Sequence, residues 1–322
     1  MPQIGVIIPM YNGARYLAET VESVLAQTFA DWELVIVDDG STDGSGAVAA
    51  AFAARDPRIR LIRQPNGGVA RARNAGLHAL GSGCGTVIFL DSDDLWYPDS
   101  LQILHQALLD DPQAVGAHGA HRLIDATGQP FPPNRTERLY FGSRCSIASW
   151  RPIRVPAQQP TTFAVPAFLN PIVSPGTALL RREPLGLAGG FDQTVSPLED
   201  WDMWIRLTAR GYLTYVDRTV LAYRRHTGNA STRSTIMAAA SEETRRKHTR
   251  STLLTPEQRT LLEDGRSWVA ILLHWIWAQE HWERRRYRTM VGEVWRASRD
   301  VGRLYARRAS RRWAAQRVWV RR

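Results

Sequence analysis

The sequence has few of the residues that mark secreted, zinc-binding or membrane-spanning proteins. Only Cys84 and Cys145 are cysteine among 322 residues, which is too few for a disulfide framework, and their spacing matches no zinc site. Residues 1–9 lack the basic region and long apolar core of a secretory signal. The apolar stretch Trp268–Ala278 is far shorter than the roughly 20 residues that a membrane span requires. These absences predict a cytoplasmic protein.

Lysine is also nearly absent, because 40 of the 41 basic residues are arginine and Lys247 is the only lysine. The net charge of +10 is unevenly spread. The first 240 residues hold 21 basic and 22 acidic side chains, whereas residues 241–322 hold 20 basic and 9 acidic ones. No nucleic-acid-binding module accompanies the basic region, so we expect no nucleic-acid partner.

Strand and helix patterns alternate through the first hundred residues, which predicts a parallel sheet covered by helices. The predicted strands are Ile4–Ile8, Leu34–Val37, Ile59–Ile62 and Val87–Leu90, and the predicted helices are Tyr16–Phe29, Ser45–Ala54 and Val69–Leu80. A further strand, Thr177–Leu180, and a helix, Glu199–Ala209, follow an irregular segment, 130–175, that holds nine of the 18 prolines. That segment suits either a recognition surface or a plain connector.

The run Val87–Asp94, V-I-F-L-D-S-D-D, joins a buried strand to three carboxylates. Residues i and i+2 of an extended chain lie on the same side, so Asp91 and Asp93 can converge on one hard cation with oxygen ligands. A solvated acidic turn before the helix that Pro98 and Asp99 can start is the alternative.

Ligands of parallel α/β sheets bind beyond the carboxyl ends of the strands. Three predicted strands end in polar or glycine residues: Tyr11-Asn12-Gly13, Asp38-Asp39-Gly40-Ser41 and Asp91-Ser92-Asp93-Asp94. The candidate site therefore lies along one edge of the sheet.

These segments, together with L-E-D-W-D at 198–202 and Tyr223-Arg224-Arg225-His226, resemble family 2 glycosyltransferases of the GT-A fold. The resemblance runs from about Gly5 to His226 and includes Asn66-Gly67-Gly68. It implies an α/β fold with a GT-A, Rossmann-like, mostly parallel sheet flanked by helices, followed by a C-terminal helical appendage. Residues 1–235 would form the catalytic domain, with a nucleotide-sugar half (1–110) and an acceptor and base half (111–235). Residues 236–322 would form a basic helical tail.

The resemblance also implies a UDP-, dTDP- or GDP-sugar donor, a Mg²⁺ or Mn²⁺ ion, and transfer with inversion. The nucleotide-sugar-binding residues by this resemblance are Pro9, Tyr11, Asn12, Asp38, Asp39, Asn66, Arg71, Asp91 and Ser92. Arg73 is an equally placed alternative to Arg71. The metal ligands would be Asp93, Asp91 and His226, with Asp94 as a further member of the acidic turn.

Asp200 matches the aspartate of the family's Glu-Asp pair and is the expected catalytic base, with Glu199 as its partner. Simpler roles stay open for the acidic groups. Glu199 and Asp200 can simply stabilise the N-terminus of the predicted helix Glu199–Ala209. The Asp38-Asp39 loop can lead into a helix that Asp43 caps. His226 can be a loop histidine bonded to the backbone.

The tail begins with Thr255-Pro256-Glu257-Gln258, a favourable helix start. Arginine pairs then alternate with tryptophan and tyrosine, and seven of the 12 tryptophans lie between Trp268 and Trp319. This pattern suits either an anionic membrane surface or a helical appendage packed on the catalytic domain or on a second copy. Peripheral attachment to the cytoplasmic face of the inner membrane, and oligomerisation, both stay open.

The leading functional hypothesis is a glycosyltransferase that acts on a saccharide or lipid-linked acceptor in bacterial cell-surface polysaccharide or glycolipid synthesis. A nucleotidyltransferase on a similar sheet is the first alternative, which would release pyrophosphate and need no Asp200. A non-catalytic scaffold at a membrane surface is the second.

Overall fold

The computed structural model describes residues 3–133, 144–148, 151–229, 234–283, 285 and 287–302. Several residues of the predicted membrane-binding pattern lie outside these ranges: Arg284, Arg286, Tyr305, Arg307, Arg308, Arg311, Arg312, Trp313, Trp319, Arg321 and Arg322.

The first half contains β1 (Ile4–Met10), α1 (Leu17–Leu25), β2 (Trp32–Asp38), α2 (Ser45–Arg55), β3 (Ile59–Arg63), α3 (Val69–Ala79), β4 (Thr86–Phe89), β5 (Leu95–Trp96) and α4 (Ser100–Asp110). The second half contains β6 (Gly116–Ile124), β7 (Cys145–Ala148), β8 (Arg151–Arg154), a 3₁₀ turn (Pro175–Thr177), β9 (Ala178–Arg181), α5 (Arg182–Ala188), α6 (Glu199–Thr208), β10 (Leu213–Arg224), α7 (Ser234–Thr249), α8 (Pro256–Glu283) and α9 (287–302).

Eight strands form one sheet in the order β3-β2-β1-β4-β9-β6-β10-β5. Strands β1 to β4 pair in parallel, as do β6 and β10. Strand β9 is antiparallel to both β4 and β6, and β5 is antiparallel to β10. The predicted α/β fold with a mostly parallel sheet and a C-terminal helical part is therefore confirmed.

The sheet is covered on both faces, which explains the unbroken apolar runs of its central strands. All seven residues of β1 are buried. One face packs against α1, α2 and α4, and the other packs against α3, α5 and α6. Helix α3 lies close to the sheet because Gly76 has no side chain: a Cβ there would lie 2.4 Å from Ile7 Cγ2.

The irregular 130–175 segment contains a two-stranded hairpin, β7–β8, within its described part. The strand predicted from Thr177 begins one residue later, because Pro175–Thr177 forms a 3₁₀ turn. Ser174 caps this turn, and its Oγ accepts a hydrogen bond from the backbone N of Gly176.

The tail helix α8 begins where the sequence predicts it. Thr255 Oγ1 accepts a hydrogen bond from Gln258 N (3.2 Å), and Gln258 Oε1 accepts one from Thr255 N (3.0 Å), which is a reciprocal cap. Among the described helices, none combines the length and apolar character needed to cross a bilayer.

Candidate active site

Adjacent parallel strands bring the predicted site residues to one edge. Strands β1, β2 and β4 are neighbours in the sheet and end at Met10, Asp38 and Phe89. Asp39 and Asp91 follow the last two of these ends. Pro9 is buried in β1 opposite Val37 of β2, beyond the part of β1 that pairs with β4. Its missing N–H therefore leaves no gap in the β1–β4 ladder.

The loops after β1 and β2 are joined by Asn12. Its Oδ1 accepts a hydrogen bond from Thr42 N (2.8 Å), and its own backbone N donates to Ser41 Oγ (3.0 Å). Asn12 has a φ of 51°, in the left-handed region that asparagine tolerates better than most residues. Tyr11 is left 55% exposed beside it, where its ring is open to a planar ligand.

Asp39 organises the loop that starts α3. Its Oδ1 accepts hydrogen bonds from Gln64 Nε2 (2.7 Å) and Gly67 N (2.9 Å), and its Oδ2 accepts one from Gly68 N (2.8 Å). Its backbone O accepts from Asn66 Nδ2 (3.0 Å). Asp39 is 3% exposed, so any hydrogen bond to a nucleobase uses the acceptor capacity that remains on Oδ2.

Asp38 has a supporting position beside Asp39. It is buried, and its Oδ1 accepts a hydrogen bond from Ser41 N (2.9 Å). Asp43 behaves in the same way, since its Oδ1 accepts from Ser45 N (3.0 Å) at the start of α2 and its Oδ2 from Ala14 N (3.0 Å). These carboxylates hold the loops around Asn12 in place.

Arg73, rather than Arg71, reaches the acidic groups of the site. Its Nη2 donates to Asp91 Oδ1 and its Nη1 to Glu199 Oε1, both at 2.6 Å. The side chain is 4% exposed, and the two carboxylates raise its pKa although burial opposes that shift. Arg71 is exposed, two positions earlier on the same helix.

The acidic turn after β4 divides its three carboxylates between different surroundings. Asp91 and Asp93 are partly exposed, whereas Asp94 is fully buried. Asp94 accepts hydrogen bonds from Ser174 Oγ (2.9 Å) and from Arg224 N (2.9 Å). Burial raises the pKa of Asp94 well above its ordinary value, and the charges of Asp93 and Asp91 add to the shift. Asp94 therefore ties the turn to the core.

The pairing of β5 with β10 brings His226 to the acidic turn. Leu95 pairs with Ala222, so the chain two residues beyond β10 passes Asp93. His226 Nε2 lies 2.8 Å from Asp93 Oδ2, and Asn229 Nδ2 donates to the same oxygen at 3.3 Å. Burial, followed by the charge of Asp91, raises the pKa of Asp93, while His226 opposes the shift.

A hydrogen bond to Nδ1 fixes the orientation of the His226 imidazole. Gly228 N donates a hydrogen bond to His226 Nδ1 (3.1 Å), which leaves Nε2 directed at Asp93. The ring also packs on Tyr16 at a centroid distance of 5.0 Å. Among the described residues, no cluster of three or more His, Cys, Asp or Glu has the arrangement of a metal centre. Asp93 and His226 form the pair whose donors fit a divalent cation.

Arg224, which the sequence reasoning did not single out, supports this turn from below. It is 1% exposed and donates to Asp93 O (2.8 Å) and to Glu19 Oε2 (2.7 Å). Its place in the segment Tyr223-Arg224-Arg225-His226, close to the predicted metal ligand His226, was the signal available in the sequence.

Asp200 lies at the start of α6, next to Glu199, which Arg73 joins to the acidic turn. Its Oδ1 accepts a hydrogen bond from Trp201 N (2.6 Å), and its Oδ2 accepts one from Asn170 Nδ2 (3.2 Å). Burial, followed by the charge of Glu199, raises the pKa of Asp200 to about 7, against the opposing charge of Arg73. A carboxylate with a pKa near neutrality suits a general base.

The helix start that carries Asp200 has an unusual backbone. Leu198 has a φ of 84°, in the left-handed region that a leucine rarely adopts, and such strain persists only where the surroundings enforce it. Asn170, the amide that holds Asp200, lies in the proline-rich segment, where periodicity gives no signal for a site residue.

Comparison with known proteins identifies the family of the chain. The sequence model of glycosyl transferase family 2 matches residues 5–186, more than half of the sequence. The chain belongs to this family. It is 41% identical over 104 residues to the glycosyltransferase GlyG of Streptococcus pneumoniae, a match covering 32% of this chain and 34% of GlyG. The chain spans about a third of the length of the curated relatives it matches.

Two solved structures share the fold. The mannosyltransferase PcManGT of Pyrobaculum calidifontis, in complex with GDP-Man and Mn²⁺, has a TM-score of 0.63 and 21% identity, over 99% of this chain and 83% of that one. S. aureus TarS (residues 1–349), in complex with UDP-GlcNAc, has a TM-score of 0.61 and 18% identity, over 83% of this chain and 72% of that one. These likenesses confirm the GT-A-like fold expected from the sequence.

Proposed function

We propose that the protein is an inverting glycosyltransferase that moves a sugar from a nucleotide diphosphate sugar to an acceptor hydroxyl. The observation that carries the proposal is the bridge made by Arg73, which joins the Asp91 turn to the Glu199-Asp200 pair. Family membership and nucleotide-sugar complexes of proteins with this fold support it.

The nucleotide would lie along the ends of β1 and β2. Tyr11 offers an exposed ring for the base, and the free acceptor capacity of Asp39 Oδ2 suits a base N–H. Asn12, Asp38 and Asn66 fix the backbone there. The exposed Arg71 would meet the base or the diphosphate, and Asp91 and Ser92 would contact the ribose.

Asp93 and His226 would hold a Mg²⁺ or Mn²⁺ ion, with diphosphate oxygens as further ligands. When bound, such a cation stabilises the negative charge that develops on the departing nucleoside diphosphate. The Mn²⁺ in the PcManGT complex supports a divalent ion in this family of folds.

Asp200 would take the proton from the acceptor hydroxyl while the oxygen of that hydroxyl forms a bond to the sugar carbon. The bond from that carbon to the diphosphate oxygen breaks on the opposite side, and its electron pair leaves with the nucleotide. Asn170 and Trp201 N orient the carboxylate. General-base assistance of this kind is typically worth about 10²–10⁴-fold in rate.

The acceptor would approach from the side of Asn170. The next residue, Pro171, lines a cavity of about 420 Å³ together with Val173, Phe131, His118 and Tyr215 among others. Its mixture of aromatic and polar walls suits a saccharide, and a lipid-linked or free glycan of the bacterial cell surface is the acceptor class that we propose.

The test is the release of nucleoside diphosphate from UDP-, dTDP- and GDP-sugars with Mn²⁺ and a glycan acceptor. We expect D200N to abolish transfer while nucleotide affinity stays within about twofold, and D93A to weaken metal-dependent nucleotide binding. D31N, which alters an exposed aspartate just before β2, at the opposite end of that strand from Asp39, is the control. Transfer that survives in D200N, or release of pyrophosphate instead of nucleoside diphosphate, would contradict the proposal.

We also propose that the tail brings the enzyme to the cytoplasmic face of an anionic membrane. Trp282, Tyr287 and Trp295 are each more than half exposed, and Arg299 lies 5.2 Å from the Trp295 ring. Aromatic rings with arginines suit a phosphate-rich headgroup layer. The double variant W282S/W295S should lose sedimentation with phosphatidylglycerol vesicles, whereas L109S, at an exposed leucine of α4, should keep it. Equal sedimentation of both would refute the proposal.

A further inference from the structure

Lys247 has an unusual place in the sequence and in the structure. It is the only lysine of a chain with 40 arginines, and its helix α7 lies beyond residues 5–186 that match the family. Its Nζ lies 2.7 Å from Asp192 Oδ2 and 2.5 Å from Asp202 Oδ1. One ammonium group therefore joins two carboxylates that are separated by the strained turn.

Asp202 is the buried end of this clamp. It is fully buried and also accepts hydrogen bonds from His248 Nε2 (2.8 Å) and Arg206 Nε (2.8 Å). Although burial opposes its ionisation, His248, Arg206 and Lys247 together hold the pKa of Asp202 below its ordinary value. Asp202 is therefore a fixed anion in α6, two residues after Asp200.

Asp192 is the other end of the clamp. Its Oδ1 accepts hydrogen bonds from Thr194 N (2.8 Å) and Thr194 Oγ1 (2.7 Å), which shapes the turn leading to Leu198. Lys247 thus fixes the chain both before and after Leu198, whose left-handed backbone needs enforcement by its surroundings.

Helix α7 makes a second contact with the groups around Asp200. Arg245 is 2% exposed and donates hydrogen bonds to the backbone O of Ala167 (2.7 Å) and of Phe168. Its guanidinium lies 4.7 Å from the Trp201 ring. The segment that Arg245 holds continues to Asn170, which donates to Asp200. Helix α7 therefore contacts Trp201 directly and also holds the segment that leads to Asn170.

We propose that Lys247, with His248, positions the Asp200 carboxylate by clamping Asp192 and Asp202 on either side of the turn that carries it. The proposal rests on the proposed role of Asp200 as the base. The ammonium points N–H groups at both carboxylates from a single nitrogen atom, and the larger planar guanidinium of K247R cannot keep that one-atom contact with both oxygens.

The test compares K247M, K247R and D192N with the wild type and with a matched control, R266Q. Arg266 pairs with Glu242 in an exposed ion pair between α7 and α8, so R266Q alters the tail without touching the clamp. Because a displacement of about 1 Å can cost about 100-fold in rate, we expect kcat to fall about 10- to 100-fold in K247M and D192N. Donor KM and nucleotide affinity should stay within about twofold.

The pH profile supplies a readout that loss of folded protein does not alter. Glu199 and Arg73 are the charged groups that act on Asp200, and burial is the largest cause of its raised pKa. A displaced carboxylate is better hydrated, so the acidic limb of kcat should move to lower pH in K247M and D192N, but not in R266Q. D192N alters a side chain that is about a third exposed, so it serves if K247M does not fold.

Wild-type kcat and an unshifted limb in folded K247M or D192N would overturn the clamp, as would full activity in K247R once the folded fraction is measured. Failure of the proposed function gives a different result, because the wild type would then show no transfer. Failure of the base assignment alone would leave D200N with transfer activity, whatever the clamp variants do.

Discussion

Replacing Arg73 with methionine tests the connection between the two parts of the site. The change removes a cation that contacts both Asp91 and Glu199 at 2.6 Å but leaves a side chain that fills similar space. Glu199 is 10% exposed and would lose its charged partner, whereas Asp91, at 27%, can be hydrated. Removing one member of a buried ion pair costs about 3–5 kcal/mol.

This cost is measurable as a change in melting temperature. For a domain of this size each kcal/mol shifts Tm by about 2–4 °C, so R73M should melt roughly 6–20 °C lower. R71M is the matched control, two residues earlier on the same helix at an exposed position. Surface substitutions usually stay within about 0.5 kcal/mol, so its Tm should move by no more than about 2 °C. Scanning calorimetry of the three proteins makes the comparison.

The pH dependence of R73M gives a second, signed result. Arg73 lowers the pKa of Asp200 against burial and Glu199, so its removal should raise that pKa above about 7. Since a base acts only when ionised, the acidic limb of kcat moves to higher pH. The folded state binds this proton more tightly than the unfolded chain, whose aspartate pKa is about 3.9, so ionisation of Asp200 lowers stability as pH rises from about 4 to about 7. An unchanged Tm, or a limb displaced to lower pH, would refute the reasoning.

Three further substitutions test other contacts. E199Q removes a charge that raises the pKa of Asp200, so the acidic limb should move to lower pH in a kcat profile; a move to higher pH would contradict this. D93N should raise the Mn²⁺ concentration for half-maximal activity roughly tenfold or more, whereas D94N should leave it unchanged, and equal effects would count against the assignment. T255A should lower stability by about 1 kcal/mol in urea unfolding through loss of the α8 cap, and an unchanged midpoint would show that the cap contributes nothing.

The fold could be predicted from the sequence because its central strands are buried on both faces. Their apolar runs are unbroken, and helices with a clear periodicity separate them. The edge at which polar residues gather follows from the parallel direction of β1, β2 and β4. The α/β class and the family were therefore predictable, whereas the antiparallel insertion of β9 depends on pairing that no local pattern specifies.

The contacts within the site were harder to predict from the sequence, because they join distant parts of the chain. The choice between Arg71 and Arg73 depends on which face of α3 meets Glu199, 126 residues away from Arg73. Asn170 lies among prolines without periodicity. Asp94 belongs by its spacing to the same acidic turn as Asp91 and Asp93, yet its carboxylate is buried and bonded to Ser174. In each case the partner that decides the role is remote in sequence.

Helix α3 connects the proposed nucleobase contact to the contacts of Arg73. Its first turn is held by Asp39 through Gly67 N and Gly68 N, and Arg73 follows five residues after Gly68. The group proposed to meet the nucleobase and the group that joins Asp91 to Glu199 are therefore attached to one rigid element, packed against the sheet through Gly76. A single helix would therefore position a nucleotide bound at Asp39 relative to both the Asp91 turn and the catalytic base, Asp200. Because Arg73 joins these two parts of the site, its loss should affect both the stability of the fold and the pKa of Asp200.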